Sequence, residues 1–484
     1  MNRDTPSSSA ARVQALLPVL VFAEITSSFE ISMMYAAMAT LLREFGDPAR
    51  VGWLLTAYLL VGSVSAALCS RLGDLFGRRR LMLAMLACSL AGSVVSLLSN
   101  ELTGLILGRA LQGMSAAMLP LCIGLVRERF PAARVPATIG WLAAMASFSA
   151  GVGILLGGVM VDHFGWRWIF VFSGTHALLA LVLVAVCVPA SQLPARAGRI
   201  DLLGGVLYAP AIAAVLWALS RLKGSGLSDP VTLGAFAAGL ALMAIWWWWE
   251  WRHPDPLIDV RGLGQRQIGL ALLLMFLFGL GTAQLMLVLL LLVQQPAWTG
   301  VGLGLTATLA GMVKLPSNFM GLIGAPWSGH VAARSGARRA ALIAAVLILV
   351  GWLALTASHR SAWLLVVWAM VCSLGGAMMF AAVPNLVVEV APGHRTSEIT
   401  GLAQVVRTIG SAIGTQAASL LLALWTVSDP QRGAAVYPSG DAYLLTFGAI
   451  AACAAVSVGL ALALPKRQTL AAPAHLELQT PQRP

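Results

Sequence analysis

Among the ionisable side chains inside long apolar stretches of this 484-residue chain, five are candidates for chemistry: Glu24, Glu30, Arg109, Lys314 and Arg407. A lone carboxylate in a low-dielectric setting is disfavoured as an ion, so Glu30, near the middle of its stretch, is suited to taking and releasing a proton or pairing with a cation. The bland alternative is a carboxyl satisfied by Ser or Thr hydroxyls on another helix. Glu24 lies six residues earlier, about 120° around a helix, so the two acids are not expected to point into one cavity, and Glu24 is the weaker candidate. Arg109 is permanently charged and needs a carboxylate, carbonyls or water, or else snorkels to an interface. Lys314 and Arg407 are candidates for binding an anionic group.

The stretches that hold these residues are too apolar for a soluble domain. The chain is 59% hydrophobic and 10% charged, with a mean hydropathy of +0.84, whereas a soluble domain carries about 25% charged residues. Runs of ~20 apolar residues suit helices across a ~30 Å hydrocarbon core, and lack the short alternating segments of a barrel. Fourteen such stretches are expected, at 13–41, 51–68, 81–98, 104–126, 136–160, 169–188, 202–219, 231–249, 267–293, 306–325, 340–356, 362–383, 398–425 and 442–464. With a cytoplasmic N-terminus, Lys and Arg favour the inner segments by roughly three to one, as the positive-inside rule requires. Both termini are then cytoplasmic, and the chain is expected to be a multi-pass protein of the cytoplasmic (inner) membrane. The first span is read as retained, not as a cleaved signal peptide.

The net charge of +12 is read as this topological bias and not as a nucleic-acid surface. The six cysteines form no C-x-x-C pair and the seven histidines show no metal spacing, so neither a cofactor nor an enzyme activity is expected. Trp246–Trp249 are read as an interfacial belt.

Between the second and third stretches lies Arg71-Leu-Gly-Asp-Leu-Phe-Gly-Arg-Arg-Arg80, read as a tight charged turn. A weaker echo runs from Gly329 to Arg339, with Gly336 matching Gly77 and Ala333 standing where Asp74 does. The echo predicts two related six-helix bundles with two helices inserted between them. The expected organisation is a tail over 1–12, a first bundle over 13–188, the inserted pair over 202–249, a second bundle over 267–464 and a tail over 465–484.

These residues resemble the major facilitator superfamily, and within it the fourteen-helix drug:proton antiporters. Leu72, Asp74, Gly77, Arg78 and Arg79 match the family's loop motif G-x-L-x-D-x-x-G-R-R/K, with Ser70 replacing its first glycine. Arg109-Ala-Leu-Gln-Gly113 matches R-x-x-x-G. Gly140, Gly153, Gly157 and Gly158 match a glycine-rich antiporter pattern in the fifth span, from which Ser149 and Ile154 depart. Phe29-Glu30-Ile31-Ser32 stands at the group's L-D-x-T, Arg199-Ile-Asp201 and Pro256-Leu-Ile-Asp259 at two inner-loop signatures, and Gly401, Arg407, Gly410 and Gly414 resemble its thirteenth helix.

The resemblance implies an all-α membrane protein that exports amphipathic small molecules against protons by alternating access. It implies that Arg109 takes part in proton coupling, that Asp74 crosses to the N-terminus of the thirteenth span near Thr396-Ser397, and that the fifth-span glycines seal the two bundles together. Asp74 paired locally with Arg78 or Arg79 is the simpler alternative. An uptake carrier for a small anionic metabolite, using Arg109, Lys314 and Arg407, is the second reading. The partners expected are protons, a small-molecule substrate and lipid; the outer loops are short and carry no evident docking domain, which leaves an envelope partner open.

Overall fold

The computed structural model describes residues 6–45, 48–190, 201–225, 229–254, 256, 265–305, 307–358, 362–391, 395–428 and 436–465. Residues 257–259 of one inner-loop signature, Arg199 and Ile200 of the other, 1–5 of the first tail and 466–484 of the last lie outside these residues.

The first group of helices comprises α1 (Pro6–Phe45), α2 (Pro48–Phe76), α3 (Arg78–Leu98), α4 (Leu102–Gly113), α5 (Met118–Arg129), α6 (Val135–Phe164) and α7 (Trp168–Cys187). A 3-10 turn, Met114–Ala117, joins α4 to α5, so that 102–129 forms one span. Next come α8 (Leu202–Ser225) and α9 (Pro230–Arg252). The last group comprises α10 (Arg266–Leu280), α11 (Leu285–Gln294), α12 (Ala307–Ser335), α13 (Ala337–Ala357), α14 (Ala362–Val390), α15 (Thr396–Ala423) and α16 (Gly440–Ala463), with α10 and α11 again in one span.

Each group has its own apolar core. Leu20, Leu86, Leu121 and Val184 pack together in the first, and Leu274, Ala344, Trp352 and Phe447 in the last. The two groups meet along two seams, α2 against α15 and α6 against α12. The α8–α9 hairpin lies over the first seam: Tyr208, Ile212, Val215 and Trp246 pack with Ala66 and Ala67 of α2 and with Leu402 and Val405 of α15.

Twelve helical segments are long and apolar enough to cross a membrane, among the described residues. Twelve falls short of the expected fourteen and leaves that number unconfirmed. The two long helices not among the twelve are α8 and α12; in α8 the apolar stretch counted among the described residues is Leu203–Val215. Thr426–Ser428 (β1) and Val436–Pro438 (β2) pair antiparallel beyond α15, and Gln295 donates to the Pro438 carbonyl at 2.7 Å.

The charged turn is far tighter than the sequence suggested. α2 continues through Asp74 to Phe76 and α3 starts at Arg78, leaving Gly77 alone between them with φ +100°. Gly336 separates α12 from α13 in the same way, with φ +84°. A side chain is strained in that region, which accounts for glycine at both positions. The main-chain bonds repeat as well. Gly77 N bonds to Gly73 O and Arg80 N to Gly77 O, while Gly336 N bonds to Ala332 O and Arg339 N to Gly336 O, all at 2.9–3.2 Å.

The tryptophan run splits in two. Trp247 and Trp248 are exposed, whereas Trp246 is buried and donates to Glu250 at 3.0 Å, and Trp249 donates to Asp201 at 2.8 Å. Asp201 also caps α8 through Gly204 N at 2.8 Å.

Candidate functional site: a cavity, a buried polar network and a cross-group latch

A cavity of about 500 Å³ lies between the two groups of helices. Its walls come from α1, α2, α5 and α6 on one side and from α14 and α15 on the other. Ile31, Leu59, Leu119 and Phe380 make much of it apolar; Glu24, Tyr58, Gln404 and Arg407 supply polar groups.

Glu24 and Glu30 do face different ways, with the expected assignment exchanged. Glu24 lines the cavity and is 2% exposed, and its Oε2 has no hydrogen-bond partner. Glu30 is not among the lining residues. Its carboxylate accepts from Ser89 on α3 at Oε1 and from Ser115, in the turn before α5, at Oε2, the latter at 2.7 Å. This is the hydroxyl-satisfied geometry anticipated as the simpler alternative. The α4–α5 break matters here, because the 3-10 turn is what presents the Ser115 hydroxyl.

Arg109 is buried beside Glu30 but bonds to its main chain. Nη1 donates to the Glu30 carbonyl at 3.1 Å and to Gln112 Oε1 at 2.8 Å, and Nε donates to the Leu54 carbonyl at 3.2 Å. The guanidinium lies over the Tyr58 ring, 4.4 Å from its centroid. Nη2 has no partner, and among the described residues Arg109 forms no ion pair. Gln112 extends the network to Ser93, which donates to the Ser89 carbonyl. Tyr58 extends it toward the cavity. Its hydroxyl is 3.3 Å from Ser115 Oγ and donates to the Ser27 carbonyl at 3.0 Å, and Tyr58 itself is a lining residue.

Arg407 lines the cavity from α15. Its Nε donates to Gln404 Oε1 at 2.9 Å, and its guanidinium stands 5.6 Å from the Phe380 ring centroid. Among the described residues it meets no carboxylate. Lys314 lies on α12; its side chain is outside the described set.

Asp74 ties α2 to α15. Its Oδ1 accepts from Arg78 Nε and pairs with Arg78 Nη2 at 2.7 Å, while its Oδ2 accepts from the Glu398 main-chain N–H at 3.0 Å in the first turn of α15. The local pair and the cross-group contact coexist. A helix N-terminus carries unpaired N–H groups and a partial positive charge, so it favours such a carboxylate. Arg78 also reaches Ser397 Oγ at 3.0 Å and Glu128 at 3.0 Å; Arg71 pairs with Glu398 at 3.1 Å, and Arg127 donates to Thr396 at 2.6 Å. Arg79 points elsewhere, to the Ala185 carbonyl at 2.6 Å. At 1.5 Å per residue, Thr396 lies ~12 Å along α15 from the first lining residue, Gln404.

The fifth-span glycines, expected to seal the two bundles, divide. Of the four motif glycines, Gly140 touches the other group, where a Cβ would meet the Ala325 carbonyl at 2.6 Å; Gly151, outside the motif, also faces it, at Asn318. Gly153 and Gly157 fit against Ser32 and Met33 of α1, within the first group, and Gly158 faces open space. On the other seam, a Cβ at Gly401 would meet the Ala66 carbonyl at 2.0 Å.

Residues of this site that the sequence did not single out are Tyr58, Ser89, Gln112, Ser115, Glu128, Gln404 and Glu398. Two of them carry a signal that was there to be read: Gln112 and Gln404 each stand three residues from an intramembrane arginine, the spacing that places side chains together on a helix. Among the described residues no group of three or more His, Cys, Asp or Glu could hold a metal ion.

Known proteins resemble this chain in sequence or in fold. The chain is 29% identical over 379 residues to the multidrug resistance protein Stp of Mycobacterium tuberculosis, covering 77% of this chain and 69% of that one. It is 26% identical over 378 residues to the tetracenomycin C resistance and export protein of Streptomyces glaucescens, covering 78% and 69%. Among solved structures, the human organic anion transporter MFSD10 superposes with a TM-score of 0.61 at 16% identity, covering 93% of this chain and 98% of that one. The proton:xylose symporter XylE superposes at 0.63 with 14% identity, covering 95% and 97%. At such identities the likeness is one of fold. The profile of the Major Facilitator Superfamily matches residues 20–415 and, in a second alignment, 271–479. With two helical groups around a shared cavity and a profile match over most of its length, the chain belongs to the major facilitator superfamily of membrane transport proteins.

Proposed function

We propose that this transporter exports amphipathic small molecules across the cytoplasmic membrane in exchange for protons. It works by alternating access of two six-helix bundles, over 13–188 and 267–464, with α8 and α9 as an inserted pair and fourteen spans in all. The observation that carries this reading is the cavity: it is bounded by both groups of helices and lies ~12 Å from a cross-group ionic latch. Resistance and export relatives agree with the direction.

In this mechanism Glu30 is the proton site. As a carboxylate it accepts from both Ser89 and Ser115. Once protonated it must donate from one oxygen, so one hydroxyl has to turn away or reverse. Ser115 is the hydroxyl that touches Tyr58, and Tyr58 forms part of the cavity wall. Protonation is thereby felt at the substrate site through two hydroxyls, with no direct contact between proton and cargo. Arg109 holds the Glu30 main chain and the Tyr58 ring in register. Asp74, Gly77 and Arg78 form the gate that closes the cytoplasmic side, with Arg79 anchoring α3 beside it. Protonation and substrate would each favour one of the two facings.

The test is uptake of a fluorescent amphipathic cation into inside-out vesicles bearing the protein, with an imposed proton gradient. Export coupled to protons gives accumulation that stops when an ionophore collapses the gradient; undiminished accumulation overturns the coupling. A second reading, uptake of a small anionic metabolite, draws on Arg407 in the cavity wall. It predicts substrate accumulation in whole cells and none in inside-out vesicles.

A further inference from the structure

Resting on the reading of the cavity as the transport site, we infer that its cargo carries a cationic and an anionic group on one apolar frame, with Glu24 meeting the cation and Arg407 the anion. Glu24 stands on α1 in the first group and Arg407 on α15 in the second, and both line the same cavity. They form no ion pair with each other. Glu24 is almost fully buried, with one carboxylate oxygen unpartnered. Among the described residues, the polar partner of the Arg407 guanidinium is the neutral amide of Gln404, at Nε. The lining near them includes Ile31, Leu59 and Leu119, with Phe380 under the arginine.

An ion buried without a counter-charge is unfavourable, and it becomes more so when bound cargo displaces water from around it. A simple cation satisfies Glu24 and leaves Arg407 in a drier site with no partner. A simple anion does the reverse. A molecule with both charges compensates both residues while its frame covers the apolar wall, so the site selects by penalising each half-matched ligand. The volume suits a drug-sized molecule. The two residues also belong to different groups of helices, so such cargo would bridge them.

The experiment uses the full chain in proteoliposomes with a proton gradient, and three probes of nearly equal size. These are ciprofloxacin, which carries an amine and a carboxylate; its methyl ester, a cation; and its N-acetyl derivative, an anion. The expected initial rate for ciprofloxacin exceeds that of either derivative by about tenfold or more, the size of one charge-assisted contact. Glu24→Gln should abolish the advantage over the N-acetyl derivative, and Arg407→Gln the advantage over the ester; Arg407→Lys should retain it. Equal rates for the three probes in the unaltered protein, or variants that slow all three alike, overturn the inference. Proton-driven transport of the ester alone overturns it too, while leaving the exporter reading intact. Transport of any probe that ignores the gradient strikes instead at the coupling. Binding to the protein in nanodiscs is measured alongside, and an affinity order that does not favour ciprofloxacin overturns the inference whether or not a probe is carried.

Discussion

The Glu30 carboxylate, the Ser89 and Ser115 hydroxyls and the Tyr58 phenol form one chain of donors and acceptors, and the position of a single proton sets its direction. If Glu30 is the proton site, Glu30→Gln lowers proton-driven transport at least about tenfold while the cavity still binds cargo, because the amide keeps the shape and loses the titration. Transport rate and equilibrium binding measured on the same preparation separate the two; full proton-driven activity in the variant rules Glu30 out. Tyr58→Phe is expected to weaken coupling without emptying the cavity, seen as export that continues but depends less steeply on the gradient. At this scale the sequence revealed which residues are anomalous but not which way they face. Glu24 and Glu30 sit on one helix with similar neighbours, and their orientation is decided by where α3, α4 and α15 lie. That is tertiary information with no trace in the run around either residue.

The contact between α2 and α15 joins a helix end to a helix start, and its chemistry is charge on dipole, backed by an arginine shared among Asp74, Ser397 and Glu128. Asp74→Asn keeps the outline and removes the charge, for a loss of about 1–3 kcal/mol from the closed arrangement. In a background lacking the native cysteines, a cysteine placed at Ser397 should therefore react faster with a membrane-impermeant thiol reagent when Asp74 is Asn; an unchanged rate argues against a gate. The helix crossings give a sharper contrast. Gly401→Val puts a branched side chain where even a Cβ would sit 2.0 Å from a carbonyl oxygen, and should abolish transport or folding, whereas Gly158→Ala has open space and should be silent in both thermal stability and rate. The motif around Asp74 was legible because its residue types are so out of place between apolar runs. The single-residue turn was not, because charged helix ends and charged loops have the same composition.

Across the whole molecule, the two groups of helices carry the same turn at Gly77 and at Gly336, with an acid on the first turn alone. The echo in the sequence was enough to suggest two halves. The number of spans was harder to read: the sequence offers fourteen apolar stretches, and twelve segments meet the length and hydropathy of a crossing among the described residues. If all fourteen cross, both termini lie on one side, and the Lys and Arg bias makes it the cytoplasmic one. Tags at Met1 and Pro484 should then be protected from protease in intact spheroplasts and cut in inside-out vesicles. Opposite behaviour of the two tags would require an odd number of crossings. The inserted pair also makes the two seams unequal. α8 and α9 roof the α2–α15 seam, with Tyr208 and Trp246 packed over the join, while α6 and α12 cross at Gly140 and Ala325. The protein therefore presents two unlike flanks, one seam carrying a further helical layer of α8 and α9 and the other not covered by that pair.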